Sequence, residues 1–307
     1  METINKPQKR RSRIYSSEAR VAYICLIPAF LGLFLLTYLP LLGVLGISLT
    51  NWTGLKSPEF VGFDNYIKIF TTDPYIKDSI FATIYFAILS VVGSMIYSLF
   101  IAMLLNRKIP ARGFFRAVFY VPYVLPSVAI YVGWSWLYEG NFGFFNYLLS
   151  EMGLKKILFI ADSSYVVPSL SLISVWLAGN LIVIFLAGLQ NVPSVYHEAA
   201  EMDGANGWQR FRHITLPCMT PIIFYNLLLS LIANLQVVTP ALALTNGGPG
   251  NSTRFLTYLM YDQAFVNYKI GYASATTVII FAILAVFAVV LFKTSNLWIY
   301  NEGGDDK

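Results

Sequence analysis

Six long stretches of this chain contain neither a charged residue nor a histidine. They run over 21–47, 80–105, 117–138, 166–190, 217–244 and 271–292. An α-helix needs about 20 mainly apolar residues to cross the hydrocarbon core of a bilayer, and each stretch reaches that length. The pattern therefore predicts an all-α polytopic membrane protein with about six transmembrane helices.

Prolines inside the predicted spans mark places where those helices should bend. Pro122 and Pro126 lie in the third stretch, and Pro221 and Pro240 lie in the fifth. A proline removes one backbone donor and clashes with the preceding turn, so it kinks or shortens a helix. Membrane helices tolerate this because neighbouring groups satisfy the freed backbone atoms, so bent spans are expected.

The composition argues against a soluble protein. Hydrophobic types make up 57% of the 307 residues and charged types 12%, whereas ordinary soluble domains carry about 25% charged residues. The charged residues of this chain are too few to cover a globule of its size with polar groups. The first stretch is longer than the apolar core of a signal peptide, which has about 7–15 residues, so it is predicted to be a transmembrane helix.

Basic residues predict the orientation of the chain. With the N-terminus inside, the cytoplasmic segments hold 14 lysines and arginines and the outer segments hold 7. Cytoplasmic loops are enriched in these residues, so both termini are predicted to be cytoplasmic. The basic run 6–13 is interpreted as a signal that keeps the N-terminus in the cytoplasm and contacts anionic membrane lipid. Nucleic acid binding is the less favoured interpretation. The predicted organisation is a basic cytoplasmic tail (1–20), a first transmembrane helix (21–47), an external loop (48–75), a transmembrane domain (76–293) and a cytoplasmic tail (294–307).

Few side chains in this sequence could support chemistry within a membrane. Cys25 and Cys218 are far apart, and His197 and His213 lack further ligands nearby, so neither a disulfide framework nor a metal site is predicted. The six stretches hold no Asp, Glu, Lys, Arg or His, which argues against proton coupling but leaves sodium coupling open. The sequence contains no G-x-x-x-x-G-K-[ST] run to hold phosphates, and no cofactor is expected on this chain.

A polar segment between the fourth and fifth stretches is the most informative part of the chain. It predicts a short helix that begins at Glu198, a turn at Gly204 and Gly207, and a second helix that leads into the next span. Glycine suits the turn because it accepts backbone angles that other residues avoid. Pro217 fits the first turn of a helix, where its missing donor costs little.

This segment resembles the EAA loop (198–217) of permease subunits of binding-protein-dependent ABC importers. The matching residues are Glu198, Ala199, Ala200, Asp203, Gly204, Ile214, Leu216 and Pro217. The resemblance implies the type I ABC importer (MetI-like) transmembrane fold and a coupling helix that docks on a separate ATPase. It also implies that Glu198 pairs with a basic group there, while the small residues and Asp203 pack the contact. A charged hydrogen bond suits such a joint.

Two predicted outer loops narrow the resemblance to the carbohydrate branch of that family. The segments 60–66 (FVGFDNY) and 245–253 (TNGGPGNST) are similar to loops of the first permease subunit of the maltose, glycerol-3-phosphate and multiple-sugar type. The resemblance implies a bacterial cytoplasmic membrane location. The implied partners are a second homologous permease subunit, an ABC ATPase dimer that carries ATP-Mg, an extracytoplasmic sugar-binding protein and a sugar substrate.

Uncharged polar residues at membrane depth are candidates for the substrate path. They are Trp176, Asn180, Ser230, Asn234 and Gln236. Ser230 and Asn234 are four residues apart and share a helix face, and the resemblance to the maltose permease places them near its sugar site. The alternative is that these groups only bond neighbouring helices to each other.

Other functional classes stay open at this point. The main alternative is an ion-coupled or self-sufficient secondary carrier or channel. A peptide, metal or amino-acid permease is a second alternative within the ABC family. A membrane enzyme or scaffold is disfavoured because the spans carry no paired carboxylates and no nucleophile with a base.

Overall fold

The computed structural model of the protein describes residues 17–300, with side chains from residue 21 onward. The predicted basic tail at 1–20 lies almost wholly outside the described residues, and so does the second half of the predicted tail at 294–307. One isolated antiparallel bridge joins Thr50 to Phe60. Otherwise the described part of the chain consists of helices and their connections.

The helices follow one another in a simple order along the chain. They are α1 Ser17–Leu33, α2 Leu39–Ser48, α3 Asp64–Thr71, α4 Ile76–Asn106, α5 Arg112–Val124, α6 Ser127–Leu137, α7 Phe144–Glu151, α8 Val166–Trp176, α9 Gly179–Asn191, α10 Ser194–Met202, α11 Gly207–Arg210, α12 Leu216–Cys218, α13 Thr220–Leu235, α14 Leu256–Tyr261 and α15 Ile270–Ser295. Short π-helical segments occur at Phe34–Tyr38, Phe211–Thr215, Ala241–Thr245 and Asp262–Val266.

The number of predicted spans is confirmed, but only three of them are continuous helices. Val21–Ser48, Ile76–Asn106 and Ile270–Ser295 are long and apolar enough to cross a membrane alone. Three further spans are pairs of helices with a sharp bend between them: 99° for α5 and α6, 48° for α8 and α9, and 67° between Gly207–Cys218 and α13. With each pair counted as one span, the total is six.

The bend in the third span occurs at a proline, as the sequence predicts. Pro126 caps α6, and the preceding Leu125 is extended, with φ −70° and ψ 149°. A residue before proline is pushed out of the helical region, so α5 ends at this point. Pro122 stays inside α5, and the break therefore belongs to Pro126 alone.

The fourth span keeps its predicted bounds but is broken inside, whereas the fifth span differs from its predicted bounds. The fourth span breaks at Leu177 and Ala178, where no proline is present. The sequence predicts the fifth span over 217–244, but α13 ends at Leu235 and a separate π-helical segment follows Pro240. The 67° bend lies at Met219, two residues before Pro221. Pro221 occupies the first turn of α13, where a proline is tolerated, so the predicted bend is found at the start of that helix and not within it.

Helix α4 forms the centre of the fold and packs on α8, α9 and α13. Its buried side includes Ser79, Thr83, Ser90, Ser94 and Ser98. Small residues let helix backbones approach closely in a membrane, and this explains why one helix can contact three others.

The first and last spans complete the outside of the bundle. Helix α15 packs on α2 and α14. Most residues of the first span are exposed, and its contact with α15 is made by the α2 part, where Val44 and Ile47 are half-buried. An all-apolar exposed helix requires lipid or another membrane chain around it.

Candidate functional site

The predicted EAA loop is a helical hairpin formed by α10 and α11. Helix α10 begins at Ser194, four residues before Glu198, so the expectation that Glu198 begins the helix is wrong. Pro193 is extended and caps the helix, which sets its start. Glu198, Ala199 and Ala200 therefore lie inside α10, where they occupy successive positions around its surface.

The turn of the hairpin depends on Gly204, as the sequence predicts. Its φ is +76°, a region that favours glycine. Gly204 N donates to Glu201 O at 3.0 Å, and Ala205 N donates to Ala200 O at 2.9 Å. These two bonds form a Schellman motif, which satisfies the last carbonyls of α10. Asp203 is the C-cap residue of that helix.

The prediction that Gly207 also breaks the helix is wrong, because Gly207 is the first residue of α11. Asn206 caps this helix through a reciprocal pair of bonds with Gln209, at 3.0 and 2.8 Å. Such a capping box satisfies two free donors at a helix start. The hairpin therefore has a defined stop and a defined restart separated by only four residues, and its shape is set locally.

Helix α10 presents its surface to the outside of the chain. It contains no buried residue, and Met202 and Val195 are 89% and 65% exposed. Glu201 pairs with Arg210 across the hairpin, whereas the Glu198 carboxylate has no ion-pair or hydrogen-bond partner within residues 17–300. Exposed apolar groups beside an unpaired charge are typical of a docking surface.

A shallow groove lies between the two arms of the hairpin. Its volume is about 340 Å³. It is lined by Ala200, Asp203, Gly204, Ala205, Gln209, Arg210, His213 and Ile214. Four of the predicted coupling residues, Ala200, Asp203, Gly204 and Ile214, thus meet at one surface feature, and Glu198 and Ala199 lie on the exposed part of α10 beside it.

The end of the predicted loop connects the hairpin to the fifth span. Ile214 lies in the π-helical segment Phe211–Thr215, and Leu216 and Pro217 form the first turn of α12. All three are half-buried. A π-helical turn is a usual adjustment within a helix, and here it precedes a proline that cannot donate to the turn before it. The hairpin is thus continuous with the broken span that contains α13.

A second feature is a polar cavity of about 300 Å³ between α4, α8, α9 and α13. Asn180, Ser230 and Asn234 line it, as the sequence predicts. Gln236 and Trp176 are not among its lining residues. Gln236 follows the end of α13 and is exposed, and the Trp176 ring packs edge-on against Trp134 at 5.6 Å.

The hydrogen bonds of Asn234 connect two of the helices around this cavity. Ser174 Oγ donates to Asn234 Oδ1 at 3.0 Å, and Asn234 Nδ2 donates to Ser230 O at 2.8 Å and to Ser230 Oγ at 3.3 Å. The amide therefore holds α8 against α13 while it faces the cavity. Both interpretations of Asn234, cavity lining and interhelical bonding, describe the same side chain.

Several cavity residues were not predicted from the sequence. They are Ser94, Ser127, Tyr131 and Ser174, together with the apolar residues between them. The breaks in the third and fourth spans both open onto the cavity through Leu125, Leu177 and Ala178. Broken helices commonly surround substrate sites in transporters. Pro126 could have indicated the first break, and Gly179, which begins α9, is the one sequence signal at the second.

Broken spans around a cavity with polar lining residues, with an exposed hairpin attached to one of them, are an arrangement found in solute transporters. A family model for "binding-protein-dependent transport system inner membrane component" matches residues 94–298. The chain belongs to this family, and the predicted family and permease fold are confirmed. It is thus a multi-pass membrane permease.

Curated relatives agree with this assignment over nearly the whole chain. A probable ABC transporter permease protein, YesP of Bacillus subtilis, is 35% identical and covers 97% of both chains. The trehalose/maltose transport system permease MalF of Thermococcus litoralis is 30% identical over 93% of this chain and 97% of its own. The multiple sugar-binding transport system permease MsmF of Streptococcus mutans is 35% identical over 84% and 89%.

Solved structures support the fold. A chain of a bacterial ABC transporter that imports the acidic polysaccharide alginate matches with a TM-score of 0.76 and 22% identity, over 91% of this chain and 96% of its own. A second structure of an alginate ABC transporter, in complex with a pentasaccharide-bound periplasmic protein, matches with a TM-score of 0.78 and 21% identity, over 91% and 94%.

Proposed function

We propose that this chain forms half of the pore of an ATP-driven sugar importer in a bacterial cytoplasmic membrane. The observation that carries the proposal is the exposed α10–α11 hairpin and its direct connection to a span that lines the polar cavity. The ATPase partner would supply ATP-Mg chemistry, and a homologous permease subunit would complete the pore. A sugar-binding protein would deliver substrate from outside, and the solved alginate transporter in complex with its pentasaccharide-bound periplasmic protein supports this part of the proposal.

The chemistry of the cavity supports a neutral, hydroxyl-rich solute. Its polar lining consists of serines, tyrosines and two asparagines, which both donate and accept hydrogen bonds. No carboxylate or cationic side chain is among the lining residues. Sugar hydroxyls are matched by such groups, and the names of two relatives specify sugars.

The connection between hairpin and cavity suggests how the two would work together. A movement of α10 on the ATPase would pass through the π-helical segment Phe211–Thr215 and α12 to α13, which carries Ser230 and Asn234. The 67° bend before α13 gives this path an angle that could open or close. Switching elements of transporters are commonly rigid helices that rock around a fixed site.

Reconstitution in proteoliposomes tests the proposal. The chain would be assembled with its second permease subunit and ATPase, with the sugar-binding protein supplied outside, and sugar uptake would be measured with ATP inside or with a sodium or proton gradient. ATP-dependent uptake that requires every subunit is the expected result. Uptake by this chain alone, or uptake driven by an ion gradient without ATP, would instead identify a secondary carrier.

A further inference from the structure

A second polar pocket lies far from the cavity and the hairpin. It has a volume of about 470 Å³ and is formed by the segment after the first span, the segment before α4 and the start of α15. The hairpin lies beyond the other end of α15, because Tyr300 N donates to Thr220 Oγ1 at 2.8 Å. Helix α15 has 26 residues and is about 39 Å long at 1.5 Å per residue. The pocket and the hairpin therefore lie at opposite ends of the helix bundle, which are opposite sides of the membrane if α15 spans it as its length and apolar sequence predict.

The wall of this pocket is held rigidly by backbone contacts. Gly271 N donates to Trp52 O at 2.9 Å. A Cβ on Gly271 would lie 1.9 Å from Thr50 O, so only glycine allows this approach. The bridge between Thr50 and Phe60 fixes the same segment from its other side. Trp52 thus projects from a backbone that is constrained on two sides.

Two amide oxygens in the pocket lack hydrogen-bond donors. Asn65 is 6% exposed, and its Nδ2 donates to Ser48 O and Thr50 O, each at 2.8 Å. Because both partners are carbonyl acceptors, Asn65 Oδ1 must point elsewhere, and no residue within 17–300 donates to it. Gln263 Oε1 is buried without a partner. Of the two atoms, only Gln263 Oε1 is closed to solvent. A buried acceptor without a donor is costly, so this atom favours a ligand that donates a hydrogen bond, and Asn65 Oδ1 is free to accept a second one.

The charged groups of the pocket are of mixed sign. Lys68 pairs with Asp64 at 2.6 Å, and Lys269 also lines the pocket. Asp73 is already engaged, because Tyr75 N donates to its Oδ1 at 2.7 Å and the Tyr272 hydroxyl donates to its Oδ2. The lysines disfavour a cation, and the free amide acceptors disfavour a simple anion.

We propose that this outer pocket binds a saccharide before or during its delivery to the pore. Sugar hydroxyls donate to the two amide oxygens and accept from the lysines and from Thr53, and a sugar ring packs on the half-buried Trp52. Thr72 can only accept, because its hydroxyl donates to Lys68 O at 2.9 Å. The volume suits a small ligand site. The proposal rests on the proposed function for its substrate class, and it adds a binding site that shares no residue with the cavity.

The test uses cysteine protection at Thr53, which is exposed in the pocket. A Thr53→Cys importer complex in nanodiscs is treated with a charged maleimide, and labelling is followed by peptide mass spectrometry. The probes are maltotriose, raffinose and digalacturonic acid, with glycerol as the viscosity control. At ten times the dissociation constant, a bound sugar slows labelling roughly tenfold, by the factor 1 + [L]/Kd. Lys56→Cys, which is exposed but outside the pocket, should stay unaffected.

Two further variants distinguish the possible results. Gln263→Leu and Trp52→Ala should each reduce the protection while the complex still assembles. Labelling that no saccharide slows, or that slows equally at Thr53→Cys and Lys56→Cys, would overturn the proposal. Protection by a binding protein but by no free saccharide would also overturn it and would indicate a protein docking site. A failure of the proposed function would be seen in a different experiment, as the absence of ATP-dependent uptake in proteoliposomes. The labelling assay measures only binding at the outer pocket.

Discussion

Gly204 determines the shape of the α10–α11 hairpin through its backbone alone. Its φ is +76°, and a Cβ added there would meet no atom within 4 Å. A side chain at this position therefore costs about 1–2 kcal/mol because of the left-handed conformation, and not because of crowding. A substitution at Gly204 therefore changes the shape of the hairpin without disturbing the packing around it.

We expect Gly204→Val to reduce ATP-driven uptake strongly while the complex still inserts and assembles. Gly207→Ala is the matched control, because Gly207 also has free space around it but begins an ordinary helix. Uptake and ATP hydrolysis would be measured on the same reconstituted samples. Equal uptake by both variants would show that the turn geometry is unimportant for coupling.

Asn226 and Asn234 lie on the same helix but in different surroundings. Asn226 is fully buried, its Nδ2 donates to Leu181 O at 3.3 Å, and it does not line the cavity. Asn226→Ala should therefore lower thermal stability by about 0.6 kcal/mol, the average for membrane hydrogen bonds, and leave the KM for sugar unchanged. Asn234→Ala should raise that KM roughly three- to tenfold through the loss of one hydrogen bond. An unchanged KM for Asn234→Ala would remove it from the substrate path.

At the scale of helices, the close contact between α5 and α9 depends on Gly179. A Cβ there would lie 2.8 Å from Phe119 O and 3.1 Å from Tyr120 Cα. Both neighbours are backbone atoms, so a rotamer change cannot relieve the overlap. Gly179 also begins α9 immediately after the 48° bend, and this contact therefore holds the broken fourth span in place.

Gly179→Ala should destabilise the protein by about 1–3 kcal/mol, the usual cost of overpacking. Gly133→Ala, which would meet no atom within 4 Å, should leave stability unchanged or slightly raise it, because alanine favours helix. Thermal unfolding in the same lipid or detergent would compare them. Similar melting temperatures for the two variants would contradict the close approach of α5 and α9.

The features that could be predicted from the sequence are those set by neighbouring residues in the chain. Apolar runs predict the spans because lipid imposes the same requirement on each. Pro126 and Gly204 act on their own backbone, so a bend and a turn were predictable at these residues. The close approach of Gly179 to α5 beside the break at Leu177 and Ala178, and the roles of Ser94 and Ser174, involve neighbours far along the chain. No pattern within a single segment contains that information.

At the scale of the whole molecule, the hairpin and the segment after the first span lie at opposite ends of the helix bundle. The hairpin is proposed to meet an ATPase, and the segment after the first span is predicted to be external. Met202 on α10 and Leu55 in that segment are both 89% exposed. Cysteines at these two positions therefore report on accessibility without differences in burial.

The most direct test is labelling of Met202→Cys with a reagent that cannot cross the membrane. The account predicts no labelling in intact cells, rapid labelling in inside-out vesicles stripped of the ATPase, and slower labelling when the ATPase subunits are added back. Leu55→Cys should behave oppositely in cells and vesicles and should not respond to the ATPase. Labelling of Met202→Cys from outside intact cells, or labelling that the bound ATPase does not slow, would contradict the account.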